Sequence, residues 1–185
     1  SLAKQDGVKL KTFPRIRFKF VLKGDTEMEY QIVKKDAFRI VGFRTSLPVD
    51  AEESFRIVPQ FWGEAGPHLG DLIPLMDLAM PGVLGVSTCH RDEENYYYIA
   101  VASSAPVPKG AYEWTVPAAT WAIFSGQGSA PMAVQELQRR IVSEWLPDSG
   151  YEWAQAPDME VYLNAPGTEE AAFQIWLPIR EASAQ

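Results

Sequence analysis

Two stretches of this chain follow the same plan, and that repeat constrains the fold more than any single motif. Each reads strand, helix with an Ile-Val pair, Trp near the helix end, then two strands. In the first, residues 38–43 precede Ile57-Val58 and Trp62; in the second, residues 120–124 precede Ile141-Val142 and Trp145. Identity between the halves is low, but the element order is the same. Two fused units of this kind merge into one antiparallel sheet with helices packed on one face. The expected fold class is therefore α+β, with duplicated β-α-β-β units forming a curved antiparallel sheet. The face opposite the helices, at the junction of the halves, would be concave and is the expected place for a site.

Residues 1–27 read as a linker and an N-terminal strand, and 28–185 as one domain of two pseudo-repeats, about 28–104 and 111–181. Strand composition marks 13–23, 30–33, 38–43, 84–90, 96–103, 112–116, 120–124, 159–163 and 173–179. Asp50 is a helix N-cap with Glu53 three residues on, followed by Phe55, Val58 and Trp62 at helical spacing. A shorter helix is expected near 69–79, stopped by Pro81-Gly82. From Pro131, the residues Val134, Leu137, Ile141, Val142 and Trp145 mark one apolar stripe, while Gln135, Gln138, Arg139 and Arg140 face water.

Bulk properties remove several function classes. A net charge of -7 disfavours nucleic acid as a direct partner, because phosphate contacts need Lys and Arg. The basic stretch from Lys9 to Lys23 reads as a strand edge or linker. Cys89 stands alone, so no disulfide framework is expected and a reducing cytoplasm is the default. No apolar run has the length of a membrane span, no secretory leader opens the chain, and Ser1 in place of Met reads as a processed or excised start. Aromatics make up 12% of the residues, with six Trp, which suits a chain that lines a cavity or an interface.

One carboxylate is out of place. Between Ala156 and Asn164, Met159, Val161 and Leu163 alternate with Glu160 and Tyr162. Other candidate strands also set large aromatics opposite an aliphatic face, so Glu160 is expected to look into an aromatic cavity. A carboxylate there receives cations or serves as an acid/base. Trp176 alternates with Ile175 and Leu177 and is expected to share the face of Glu160 and Tyr162. Tyr98 opposes Ile99 and Val101 and joins the pocket set, whereas Tyr97 is assigned to the core. Trp114 with Tyr112, and Trp62 near a helix end, are open between core and pocket. The candidate ligand-binding residues are thus Glu160, Trp176, Tyr98, Tyr162, Trp114 and Trp62.

Other chemistry lacks support. His68 and His90 have no carboxylate or Cys spacing for a metal site. Ser103-Ser104 and Ser125-Gly126 lack a nucleophile elbow, and Gly126-Gln127-Gly128 is too short for a phosphate loop. Cys89 reads as a small buried hydrophobe. No cofactor, metal or catalytic residue is assigned.

Several stretches together resemble the GyrI-like effector-binding domain of AraC-type and MerR-type transcription regulators, which also occurs alone or in integron cassettes. They are Lys35-Asp36-Ala37-Phe38-Arg39-Ile40-Val41-Gly42, Val58-Pro59-Gln60-Phe61-Trp62, Tyr97-Tyr98-Ile99-Ala100-Val101, residues 116–124, residues 144–152 and Met159-Glu160-Val161-Tyr162. Residues 7–12 are similar to the connector that follows the helix-turn-helix module in AraC-type members. The resemblance implies a central drug-like ligand pocket in which a glutamate on the penultimate strand, here Glu160, meets cationic or amphipathic ligands between aromatic walls. The expected function is the effector-binding domain of an AraC-family regulator, with DNA contacted only through a module absent from these residues. The alternatives are a hydrolase of strained cyclopropane-type metabolites, with Glu160 activating water and Tyr98 assisting, and a scavenging or partner-inhibiting protein. A homodimer stays open.

Overall fold

The computed structural model describes residues 16–23, 26–89, 93–164 and 171–183. In chain order these form β1 (Ile16–Lys23), β2 (Thr26–Lys35), β3 (Phe38–Leu47), helix α1 (Ala51–Ala65), β4 (Val83–Ser87), β5 (Asn95–Ala102), β6 (Tyr112–Val116), β7 (Ala119–Gln127), helix α2 (Met132–Arg140), β8 (Tyr151–Trp153), β9 (Asp158–Tyr162) and β10 (Ala172–Glu181). The strands join in one ten-stranded sheet ordered β1-β2-β7-β10-β9-β4-β5-β3-β6, with β8 paired to the end of β10. Residues 7–12 and His90, singled out in the sequence, lie outside the described residues.

The duplication is real and is tied together by exchange. The units are β3-α1-β4-β5 and β7-α2-β9-β10, and in each the last strand pairs with both the first and the third. The strand before each unit pairs with the other unit: β2 lies along β7, and β6 lies along β3. The halves meet where β4 runs antiparallel to β9, with Gly85 opposite Glu160 at the middle of five paired positions. An approximate two-fold axis through this pair makes Gly85 the counterpart of Glu160.

Helix α1 starts as its sequence dictates, with the Asp50 side chain accepting from the Glu52 N–H at 2.9 Å. Pro59 sits inside it, so the Phe55 carbonyl loses the N–H that would otherwise close that turn. The expected helix near 69–79 is instead two 3₁₀ turns, Gly66–Asp71 and Ile73–Leu75, each with a proline in its first positions. Gly70 and closely spaced prolines leave no run long enough for an α-helix. Helix α2 widens over Ile141–Trp145 into a π turn, in which the Leu146 N–H reaches back to the Ile141 carbonyl. That wide turn corrects the expected stripe: Ile141 and Trp145 are buried, while Val142 is 60% exposed. Strand β8 has three residues, too few for alternation to reveal.

Both helices cover the same face. Phe61 and Ala65 of α1 pack with Val83, Tyr97 and Ile99, while Val134 and Ile141 of α2 and Trp145 beyond it pack with Tyr162, Phe173 and Ile175. The other face carries a second core of Ile40, Leu84, Val86, Tyr98, Val116, Trp121, Met159, Val161 and Trp176. Neither α-helix contributes to it; its fully buried Trp121 and Ile40 are covered by the large side chains of the strands themselves and by Met80 from the segment before β4.

At Gly85 the missing side chain makes room for the site. A Cβ there would collide with the Tyr97 hydroxyl and the Glu160 carboxylate. Gly85→Ala should lower unfolding stability by about 1–3 kcal/mol through overpacking, read as a shifted urea midpoint at unchanged slope.

Candidate functional site

A cleft of about 730 Å³ opens between α1 and α2 over the β4–β9 junction. From α1 it takes Phe55, Val58, Pro59, Trp62 and Gly63, and from α2 and its flanks Pro131, Val134, Gln138 and Val142. The sheet supplies its floor through Tyr97, Asp158, Glu160, Tyr162, Ile175 and Leu177. The strand pairings explain the grouping. Paired residues point to one side, so Glu160 shares its face with Gly85 and Ile175, and Ile99 pairs with Gly85, which brings Tyr97 to the same side.

Glu160 is the hub of a hydrogen-bond network that reaches both helices. The Trp62 Nε1–H of α1 donates to Tyr97 Oη at 2.9 Å, and the Tyr97 hydroxyl donates to Glu160 Oε2 at 2.8 Å. From α2, Gln138 Nε2 donates to Glu160 Oε1 at 3.3 Å. The indole of Trp62 also meets Tyr162 edge-on, with centroids 5.0 Å apart. Each carboxylate oxygen is thus assigned to a different helix. Among the described residues lining the cleft are two carboxylates, Asp158 and Glu160, and no basic side chain.

Loss of water dominates the electrostatics. Burial pushes the Glu160 carboxyl up to about 7; the Tyr97 hydrogen bond pulls back, the nearby Asp158 charge pushes the same way as burial, and Gln138 pulls back weakly. Asp158 is raised too, by burial, although much of its surface opens toward the cleft. Tyr97 is held well above the tyrosine range by burial, then by the charges of Glu160 and Tyr162, and Tyr162 rises for the same first two reasons. The tyrosines therefore stay protonated donors, and Glu160 is the group that titrates near neutral pH.

The structure brings three of the expected residues together: Glu160, Tyr162 and Trp62. It places the other three on the far side of the sheet. Trp176 pairs with Met159, not Glu160, and packs against Trp121 with centroids 5.6 Å apart. Tyr98 pairs with Val86 and stacks on Trp114 at 5.8 Å, within the second core. The expected location of the cavity is corrected with them: it lies on the helix-bearing face. The reason is one of parity, since Trp176 is one residue out of step with Ile175, which faces Glu160. Two partners were assigned elsewhere by sequence. Tyr97 is a core residue that also reaches the carboxylate, and Gln138, expected to face water, turns inward from α2. A glycine in mid-strand at position 85 was the available signal for a close approach.

The model of the GyrI-like small molecule binding domain matches residues 28–180. The chain belongs to the GyrI-like family. The transcriptional regulator BrlR of Pseudomonas aeruginosa is 27% identical over 160 residues, covering 82% of this chain and 56% of BrlR. The chain therefore spans about half the length of that curated relative. Among solved structures, SAV2435 bound to tetraphenylphosphonium superposes with a TM-score of 0.73 at 22% identity, covering 83% of this chain and 94% of SAV2435. An integron cassette protein of Vibrio cholerae superposes at 0.59 and 18% identity, covering 89% of this chain and 99% of that one. At these identities the structures share the fold.

The raised carboxyl makes stability pH-dependent. Below the ordinary glutamate value Glu160 is protonated whether folded or unfolded, and nothing is lost. Between about 4.5 and about 7 the unfolded chain releases the proton that the folded chain keeps, so stability falls across that window and then levels. Glu160→Gln should therefore be more stable than the parent at pH 8 by on the order of 2 kcal/mol, allowing for water that enters the cleft, with the gap closing by pH 5. Urea unfolding at the two pH values reads the difference.

Proposed function

We propose that this domain is the effector-sensing part of a bacterial transcription regulator, and that the inter-helical cleft binds lipophilic cations with Glu160 as charge partner. The observation that carries the reading is a desolvated carboxylate beneath an apolar, aromatic cleft lined by no basic residue among those described. Burial penalises the ionised form of Glu160, and a cation with apolar bulk relieves that penalty while filling the cavity. Trp62, with Tyr162 edge-on beside it, offers ring surface to such a cation. The volume suits a molecule of drug size. Family membership supports small-molecule binding, and the bound tetraphenylphosphonium of SAV2435 supports a cation as the ligand class. The likeness to BrlR supports a regulator, with DNA contacted by a further module. The AraC-type assignment rests on residues 7–12 alone.

Hydrolysis takes second place. A carboxyl near 7 beside a tyrosine hydroxyl has the ingredients of acid–base chemistry. Yet the Tyr97 hydroxyl already gives its proton to Glu160 and accepts from Trp62, and Tyr98, the expected assistant, lies across the sheet. The second carboxyl of the cleft, Asp158, is not linked to this network by any hydrogen bond among the described residues.

Titrating tetraphenylphosphonium into the chain at pH 8 tests the binding role. Glu160→Gln, which keeps shape and removes charge, should weaken binding about tenfold or more. Equal affinity in calorimetry would remove the carboxylate from recognition.

A further inference from the structure

The two oxygens of Glu160 are not equivalent, and the difference bears on which cations the cleft accepts. Oε2 is fixed by the hydroxyl of Tyr97, a residue only 2% exposed that is itself oriented by Trp62 and folded over Gly85. Oε1 is met by the carboxamide of Gln138, half-buried on α2, at a longer 3.3 Å. Gln138, itself part of the cleft lining, is a neutral donor to this oxygen. It satisfies part of that oxygen's hydrogen-bonding capacity without cancelling its charge.

Resting on the cation-binding reading above, we propose that Gln138 is a specificity-determining residue: by occupying Oε1 it turns the site against cations that bind through N–H donors and toward cations recognised by charge and apolar bulk alone. A primary ammonium must hydrogen-bond to replace its hydration, and at Oε1 it has to share the oxygen with the Gln138 amide or push it aside, at a cost in geometry or in a lost partner. A cation without N–H groups has no such requirement. It lies against Trp62 and Tyr162, feels the carboxylate through space, and leaves both protein donors in place. Discrimination of this kind comes from an unfavourable term for the wrong ligand as much as from contacts to the right one. No other donor in the described network competes for Oε1: Asp158 is an acceptor, and Tyr97 is committed to Oε2.

The test is a ratio, which a general loss of stability does not move. Affinities for tetraphenylphosphonium and for benzhydrylammonium are measured by calorimetry at pH 8, where Glu160 is mostly ionised, with the amine's affinity referred to its charged fraction. The parent chain should prefer the phosphonium, and Gln138→Leu should shrink that preference about tenfold, chiefly by gaining the ammonium. Gln138→Met, an unbranched replacement, should do the same and guards against misfolding of the first variant. A ratio unchanged in both variants, or no preference in the parent, overturns the role of Gln138. If Glu160→Gln still lowers phosphonium affinity, that failure leaves the cation site standing. If Glu160→Gln leaves phosphonium affinity unchanged, the cation reading falls and takes this inference with it.

Discussion

The pairing of Gly85 with Glu160 is the constraint on which the site depends. Two copies of one unit meet strand to strand, and a symmetric meeting would set like residues side by side on the axis. Here one copy supplies a carboxylate and the other supplies nothing beyond backbone hydrogen. The missing Cβ is the space into which the Glu160 side chain and the Tyr97 hydroxyl fold. Asymmetry at one position thus puts one carboxylate, not two, on the axis of a near-symmetric scaffold, and avoids the repulsion that two facing carboxylates would suffer.

That centre is held from two directions. The α1 side reaches it through Trp62 and Tyr97, and the α2 side through Gln138 just before the π turn. The strand exchange, with β2 on the second unit and β6 on the first, keeps the two units in fixed register beneath the helices. The hydrogen bonds support an ionised Glu160, but they do not offset its loss of water, so the carboxyl remains raised. On the proposed reading, a site left in this state gains when a cation arrives. In a full-length regulator, a difference in how occupied and empty clefts hold α1 and α2 is what a neighbouring module could sense, to the extent that the ligand favours one arrangement.

Much of the fold was legible because strands and helices announce themselves by period. Element order, the repeat, the Asp50 cap and the facing of Glu160 and Tyr162 follow from alternation and spacing. The site was legible only in part. Alternation tells which residues of a strand share a side, but not which side of a neighbouring strand they join; that depends on register. Trp176 was therefore grouped with Glu160, when the pairing of Ile175 with Glu160 sends it to the far core. The same ambiguity exchanged Tyr97 and Tyr98. A sheet with two buried faces carries aromatics on both, so aromatic content alone could not mark the cleft. Val142 was misplaced for another reason: a π turn shifts the phase of a helical stripe, and no residue type signals it. Gln138 shares the stripe of Val134 and Ile141 by ordinary i+4 and i+3 spacing, and its polar side chain alone sent it to the solvent side.

The central claim is that Glu160 is a desolvated carboxylate whose charge a bound cation restores. The direct measurement is a pH titration of the Glu160 side-chain carboxyl by carbon NMR, with and without saturating tetraphenylphosphonium. The account predicts a midpoint near 7 in the free chain, as its surroundings dictate, and a clear drop when the cation is present. An ordinary carboxylate midpoint in the free chain, or one that the cation leaves in place, would contradict it.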